Sequence, residues 1–202
     1  MIKIDSKILC VFAHREDHII FGWPILQDPR FKRYLLVCSS EAQDVVSKGC
    51  KNDNVISLGT VGLNNGFSYQ VNRIVDSYNA IFIKIKELIE IIKPDYIFTH
   101  NPMGEYGHYD HQFLFKLIYN EFLQQKIFVT DITVLSPCYP EFRTVPRLFK
   151  HLYKDKIEDA VPNIEFYKQN AVLFNKYNMW ESSPHFNLPE YPREGFGLYL
   201  LR

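Results

Sequence analysis

Five of the seven histidines in the chain fall in two short windows, and both windows also carry carboxylates. The first, FAHREDH, runs from Phe12 to His18 and holds His14, Glu16, Asp17 and His18. The second, THNPMGEYGHYDHQ, runs from Thr99 to Gln112 and holds His100, His108, Asp110 and His111. Imidazole and carboxylate are the side chains that bind a catalytic divalent ion, which takes three protein ligands and keeps a further position for water or substrate. His14 and Asp17 from the first window, with His111 from the second, make a two-histidine, one-carboxylate set. Such a set suits Zn2+ and also Fe2+. His108 and His111 are spaced to project to one side of a starting helix. Glu16 is not needed as a ligand and is the candidate general base. An ion in the site would lower the pKa of water from about 15.7 toward about 7, making hydroxide available at neutral pH. His108 is the candidate for holding an oxyanion or protonating a leaving amine, with Asp110 steering its tautomer.

Each window alone has a plainer reading. H-x-x-D and H-x-x-H are common, and histidines at strand ends are often simply hydrogen-bonded. For His18 and His100, support of the ligands or plain packing stands at least level with direct ligation, and His151 and His185 read as surface residues. The case for a metal rests on the two windows meeting in space, which depends on the elements around them.

KILCVFA (7–13) is apolar on both faces, as in a strand buried in a parallel sheet, and RYLLVCS (33–39) and NVISLG (54–59) read likewise. EAQDVVSKG (41–49) reads as a short helix closed by Gly49. Between 70 and 93, apolar residues recur at three- and four-residue steps (Ile74, Tyr78, Ile81, Ile85, Leu88, Ile92), giving an amphipathic helix stopped by Pro94. YIFTH (96–100) is a further buried strand, followed by a helix over 109–125 and a strand over 126–135. In the last third, 164–180 reads as helical, 181–195 as a proline-containing loop, and FGLYLL as a return to the sheet. The alternation predicts an α/β, three-layer α/β/α sandwich with a mainly parallel sheet, one domain over 1–202. In such a sheet the loops beyond the strand C-termini share one edge, where ligands bind. Both histidine windows leave strands at that edge.

Bulk properties narrow the function. Lys and Arg together number 23, as do Asp and Glu, so the formal net charge is zero and no basic excess points to nucleic acid. No apolar run approaches the roughly 18–20 residues that cross a bilayer, so membrane insertion is not expected. The four cysteines are scattered without a C-x-x-C pair, in keeping with a reducing, cytoplasmic setting.

The two motifs resemble those of the LmbE-like, or PIG-L, zinc-dependent N-deacetylases. FAHREDH is similar to their A-H-P-D-D-E block, and PDYIFTHNPMGEYGHYDHQ to their P-D-x-[IV] strand with G-H-P-D-H. The resemblance covers residues 7–125 well and the remainder loosely. It implies a Rossmann-like fold and one zinc on His14, Asp17 and His111. It also implies hydrolysis of an N-acetyl group from an amino sugar of the N-acetylglucosamine type, carried on a nucleotide, lipid or glycan. Glu16 stands where the family has its aspartate base, and His108 and Asp110 match the second block. Arg15 replaces a proline, His18 a glutamate and Tyr109 a proline. Arg15 is thus a candidate contact to a substrate carboxylate or phosphate, or a solvated surface residue. The longer Glu16 leaves open a second function, a member that binds metal and sugar with little turnover. A zinc amidase acting on a non-acetyl amide is a third.

Overall fold

The computed structural model describes residues 3–14, 17–26, 28–39, 55–63, 71–130, 156–160 and 196–200. Strand β1 (Lys7–Phe12) leads through two single-turn helices, α1 (Asp17–Ile20) and α2 (Trp23–Leu26), to β2 (Lys32–Ser39) and later β3 (Val55–Leu63). Helix α3 (Val71–Ile92) precedes β4 (Tyr96–Thr99), α4 (Gly104–Gly107), α5 (Tyr109–Glu121) and β5 (Lys126–Thr130). Strands β6 (Lys156–Ala160) and β7 (Phe196–Leu200) follow. The sheet order is β3-β2-β1-β4-β5-β7-β6. The first five strands are parallel, and β7 joins β5 and β6 antiparallel.

Parallel neighbours need crossovers that cover the sheet faces, and so both faces of β1 are buried. Leu9, Val11 and Ala13 join Leu36, Cys38, Ile97, Ile127 and Val129 in one core with helices α3 and α5. From α3 that core takes Ile81, Ile85, Leu88 and Ile92, the three- and four-residue seam read in the sequence. Each such side chain contributes about 1.5–3 kcal/mol on burial, and packing of this kind stabilises a helix more than propensity does. Ile8, Cys10 and Phe12 point to the other face and are also buried. There Phe12 and Phe98 meet edge to face at 5.5 Å between ring centroids. Helix α3 ends where Lys93 takes φ 50 ahead of Pro94, and the Lys7 ammonium donates to the freed Ile92 carbonyl at 2.9 Å.

The α/β class and mainly parallel sheet match the expectation from the sequence. Several boundaries differ. Strand β3 extends to Leu63, beyond the expected 59. Helix α5 stops at Glu121, not 125, because Phe122 leaves helical geometry (φ −112, ψ 54) and a turn closes from the Gln125 N–H to the Phe122 carbonyl. The short helices α1, α2 and α4 were not anticipated, since four residues carry no periodicity to read. The helix expected at 41–49, the segments expected over 131–135 and 164–195, and Arg15, Glu16, His151 and His185 lie outside the described residues.

The order 3-2-1-4-5 places a switch point between β1 and β4. Successive crossovers leave β1 in one direction and then return to its other side, so a crevice opens at the C-terminal ends of these two strands. Register pairs Cys10 with Phe98, which sets the residues after Phe12 beside those after Thr99. Gly22, between α1 and α2, lets this segment close down on β1. A Cβ there would meet the His18 carbonyl oxygen at 2.7 Å and Phe12 Cε2 at 2.9 Å. Gly22→Ala is therefore expected to lower stability by about 1–3 kcal/mol, as overpacking does. Urea unfolding followed by circular dichroism reads this directly, and an unchanged midpoint would mean that the segment yields without cost.

Candidate metal centre

His14 follows β1, and Asp17 opens α1 three residues later. The turn between them is closed by its own groups: the His14 N–H donates to Asp17 Oδ2 at 2.7 Å, and the Asp17 N–H to the His14 carbonyl at 3.3 Å. His100 follows β4. His108 is the N-cap of α5, and its Nδ1 accepts from the Asp110 N–H at 3.2 Å. Capping leaves Asp110 and His111 in the first turn, both buried and facing the crevice rather than solvent.

Three donor atoms form a nearly equilateral triangle. His14 Nδ1 is 3.2 Å from His111 Nε2, and each is 3.3 Å from Asp17 Oδ2. An ion about 2.0–2.2 Å from three tetrahedrally disposed ligands holds them about 3.3–3.6 Å apart. The outer nitrogens of both rings are engaged by carboxylates, which only accept: His14 Nε2 lies 3.0 Å from Asp110 Oδ2, and His111 Nδ1 lies 2.7 Å from Glu105 Oε2. With those nitrogens protonated, the inner nitrogens of the neutral rings carry lone pairs. Two lone pairs and a carboxylate oxygen then converge on one point, an arrangement that a cation satisfies. Charge balance leads the same way, because Asp17, Glu105 and Asp110 are all buried, and buried anions require a compensating partner. The residues fit a divalent metal.

The remaining groups surround this triangle. His100 is fully buried, with Nε2 3.3 Å from Asp17 Oδ2 and 3.1 Å from the Ala13 N–H, and Nδ1 3.0 Å from Glu105 Oε2. Its ring stacks on His111 at 3.8 Å between centroids. Burial alone would disfavour its cation, but Glu105 and Asp17 raise its pKa to about 9. Burial would likewise raise the Asp17 pKa, yet His111, His100 and His14 hold it well below the usual carboxylate range. His108 sits at the mouth, 4.8 Å from His14 and 4.6 Å from His111 between ring centroids. Burial and the neighbouring His111 and His14 push its pKa down to about 4, so it is neutral at pH 7. Because Nδ1 accepts the cap hydrogen bond, its proton sits on Nε2.

The structure thus brings together His14, Asp17, His108, Asp110 and His111 from the two windows. Asp110, paired with His108 in the sequence reading, also has its carboxylate on His14. His18 is buried on α1. His100, for which support or packing was weighed against direct ligation, contacts both Asp17 and Glu105. Glu105 was not singled out from the sequence at all. Its only signal was a place inside the second window, between two glycines and without periodic context.

A comparison of the sequence with protein-family models returns no match, and neither does a comparison with curated proteins. Solved structures do match over nearly the whole chain. A deacetylase–teicoplanin complex from the teicoplanin biosynthesis pathway has a TM-score of 0.54 at 10% identity, covering 96% of this chain and 97% of that one. The A40926 pseudoaglycone deacetylase Dbv21 has a TM-score of 0.54 at 11% identity, covering 96% of each chain. A zinc-inhibited form of the teicoplanin deacetylase Orf2 has a TM-score of 0.50 at 10% identity, with 96% and 97% covered. At such identities the shared property is the fold. No helix among the described residues is long and apolar enough to cross a membrane.

A site of this kind couples metal binding to folding. Zinc at about 100 times its dissociation constant is expected to stabilise the protein by about 2.7 kcal/mol. Thermal melting with zinc and with a chelator reads the shift, and Asp17→Asn should abolish it. Identical melting curves in the two conditions for the wild type would exclude a metal in the triangle.

Proposed function

We propose that this chain is a metal-dependent hydrolase of the LmbE-like/PIG-L type, one domain over 1–202, that removes an N-acetyl group from an amino sugar. The observation that carries the proposal is the His14–Asp17–His111 triangle at the β1/β4 switch point. It occurs on a fold shared, over almost the full chain, with a deacetylase of the teicoplanin biosynthesis pathway and the A40926 pseudoaglycone deacetylase.

In this reading His14, Asp17 and His111 would hold the ion; the donor set suits both Zn2+ and Fe2+, and the family resemblance favours zinc. The bound ion supplies Lewis acidity and lowers the pKa of water. Glu16, adjacent to Asp17 in the chain, is assigned the role of general base, matching the family's aspartate in sequence. His108 is assigned to the developing oxyanion. As a neutral imidazole with its proton on Nε2 it can donate a hydrogen bond there, and a pKa near 4 makes it a poor reservoir of protons for a leaving amine at pH 7. Asp110 holds the His14 ring and offers the backbone N–H that fixes His108. Arg15 is assigned to an anionic group of the substrate.

A second reading keeps metal and sugar binding with little turnover. It is favoured by HREDH, where the base is a glutamate one methylene longer than the family's aspartate, since reacting geometry is sensitive to shifts of about 1 Å. Acetate release from N-acetylglucosamine conjugates, measured beside metal content, tests both. His111→Ala should lose metal and activity together. Glu16→Gln should keep the metal and lose about 10²–10⁴-fold in kcat, the usual contribution of a general base. A metal-loaded wild type no faster than Glu16→Gln would favour the binding reading, and unaltered turnover in His111→Ala would sink the hydrolase.

A further inference from the structure

One carboxylate outside the proposed ligand set lies at the centre of the hydrogen-bond network. Glu105 is 1% exposed, and both of its oxygens are fully engaged. Oε2 lies 3.0 Å from His100 Nδ1 and 2.7 Å from His111 Nδ1. Oε1 accepts the Asn101 N–H at 3.1 Å and the Thr130 hydroxyl. Asn101 in turn steadies the turn that carries Glu105, its Oδ1 accepting the Met103 N–H at 2.9 Å and the Glu105 N–H at 3.2 Å.

The backbone there is held in an uncommon state. Gly104 has φ +66 and Glu105 has φ +56, so two successive residues occupy the left-handed region. Glycine does so freely, but a residue with a Cβ is there at a cost of about 1–3 kcal/mol. Strain of this kind persists where the surroundings over-determine it, and here four donors converge on the side chain that the strained residue presents.

We propose that Glu105 is a positioning residue. By taking the Nδ1–H of His100 and of His111 on one oxygen, it fixes both rings in orientation and keeps the His111 Nε2 lone pair directed at His14 and Asp17. The proposal rests on the metal-site reading above for its purpose, and on the hydrogen-bond geometry alone for its content. The mechanism follows from the inventory of groups. A carboxylate accepts on both oxygens, whereas an amide of the same shape accepts on one and donates on the other. In Glu105→Gln the amide oxygen can face the histidines only if its NH2 confronts the Asn101 N–H, which cannot reverse. With the amide turned over, Nδ1 of His111 must become an acceptor and its proton moves to the Nε2 that faces Asp17, while His100, whose Nε2 accepts the Ala13 N–H, cannot follow. Either way the triangle is disturbed without a change in side-chain size.

Long-range 1H–15N correlation of the histidine rings reads this directly and requires neither turnover nor metal. The wild type is expected to have His100 and His111 protonated at Nδ1; a His111 carrying its only proton on Nε2 would overturn the proposal. Glu105→Gln should shift the His111 ring pattern and weaken zinc binding, measured by chelator competition, by about 10–100-fold, the usual effect of losing a partner behind a metal ligand. Glu105→Gly, which relieves the left-handed backbone, should weaken zinc comparably while keeping the fold by circular dichroism. Zinc affinity within threefold of wild type in both variants, with an unaltered His111 pattern, would overturn the role of Glu105 and leave the metal site standing. A wild type that binds no zinc, yet has the Nδ1–H pattern that Glu105→Gln abolishes, would remove the metal-site reading and leave Glu105 as the group that fixes the rings.

Discussion

Three carboxylates, Asp17, Glu105 and Asp110, are buried at the C-terminal edge of β1 and β4, and the local structure is organised by how their charge is compensated. The groups that contact them include imidazoles, backbone N–H groups and a hydroxyl. Imidazole is a versatile partner here because it can be a neutral donor on one side and a neutral acceptor on the other. Asp110 takes the outer nitrogen of His14 and Glu105 that of His111, leaving Asp17 to face both inner nitrogens. The outer pairs are ordinary buried hydrogen bonds. The inner three-way contact is satisfied only by a positive charge, supplied by protons on the rings or by an ion in their place.

The fold contributes direction rather than chemistry. A switch point between β1 and β4 brings chain segments from opposite crossovers to a common edge, and the two strands are bound along their length by Lys7–Asp95 contacts at the start and a Thr99-to-Val11 hydrogen bond near the end. The crevice is thus walled by rigid backbone, and a histidine one or two residues past each strand has little freedom in where its Cα lies. The core beneath, with α3 and α5 seated on alternate residues of β1, holds the N-terminus of α5 and its His108 cap against that edge.

Those features differ in how far they could be read from residues alone. The buried strands and α3 were legible because apolar runs and a three- and four-residue seam repeat over many positions. The meeting of His14 with His111 was legible because strand ends in a parallel sheet share an edge. What could not be read was which nitrogen of each ring faces inward, since that is decided by contacts far apart in sequence, such as Asp110 on His14. Glu105 escaped notice for a related reason: its function comes from a left-handed turn that directs one side chain beneath two rings, and no spacing rule announces such a turn. The end of α5 was misjudged for want of a glycine or proline to mark it, and that of β3 because the strand runs on through Gly59, where it was expected to stop, to Leu63.

The two halves of the triangle are not held alike. His111 is gripped from behind by Glu105, which is itself fixed by Asn101 and Thr130, and it stacks on the fully buried His100. Its partners belong to β4, α4, α5 and β5, all tied into the sheet or its core. His14 and Asp17 belong to a single short turn, closed by the Asp17 carboxylate and the backbone, and linked to the rest chiefly through Asp110 and His100. At 3.2–3.3 Å the three donors already stand close to where an ion about 2.0–2.2 Å from each would hold them, so occupancy calls for little movement of the first window. His108, capping α5, belongs with His111 to the more firmly held half.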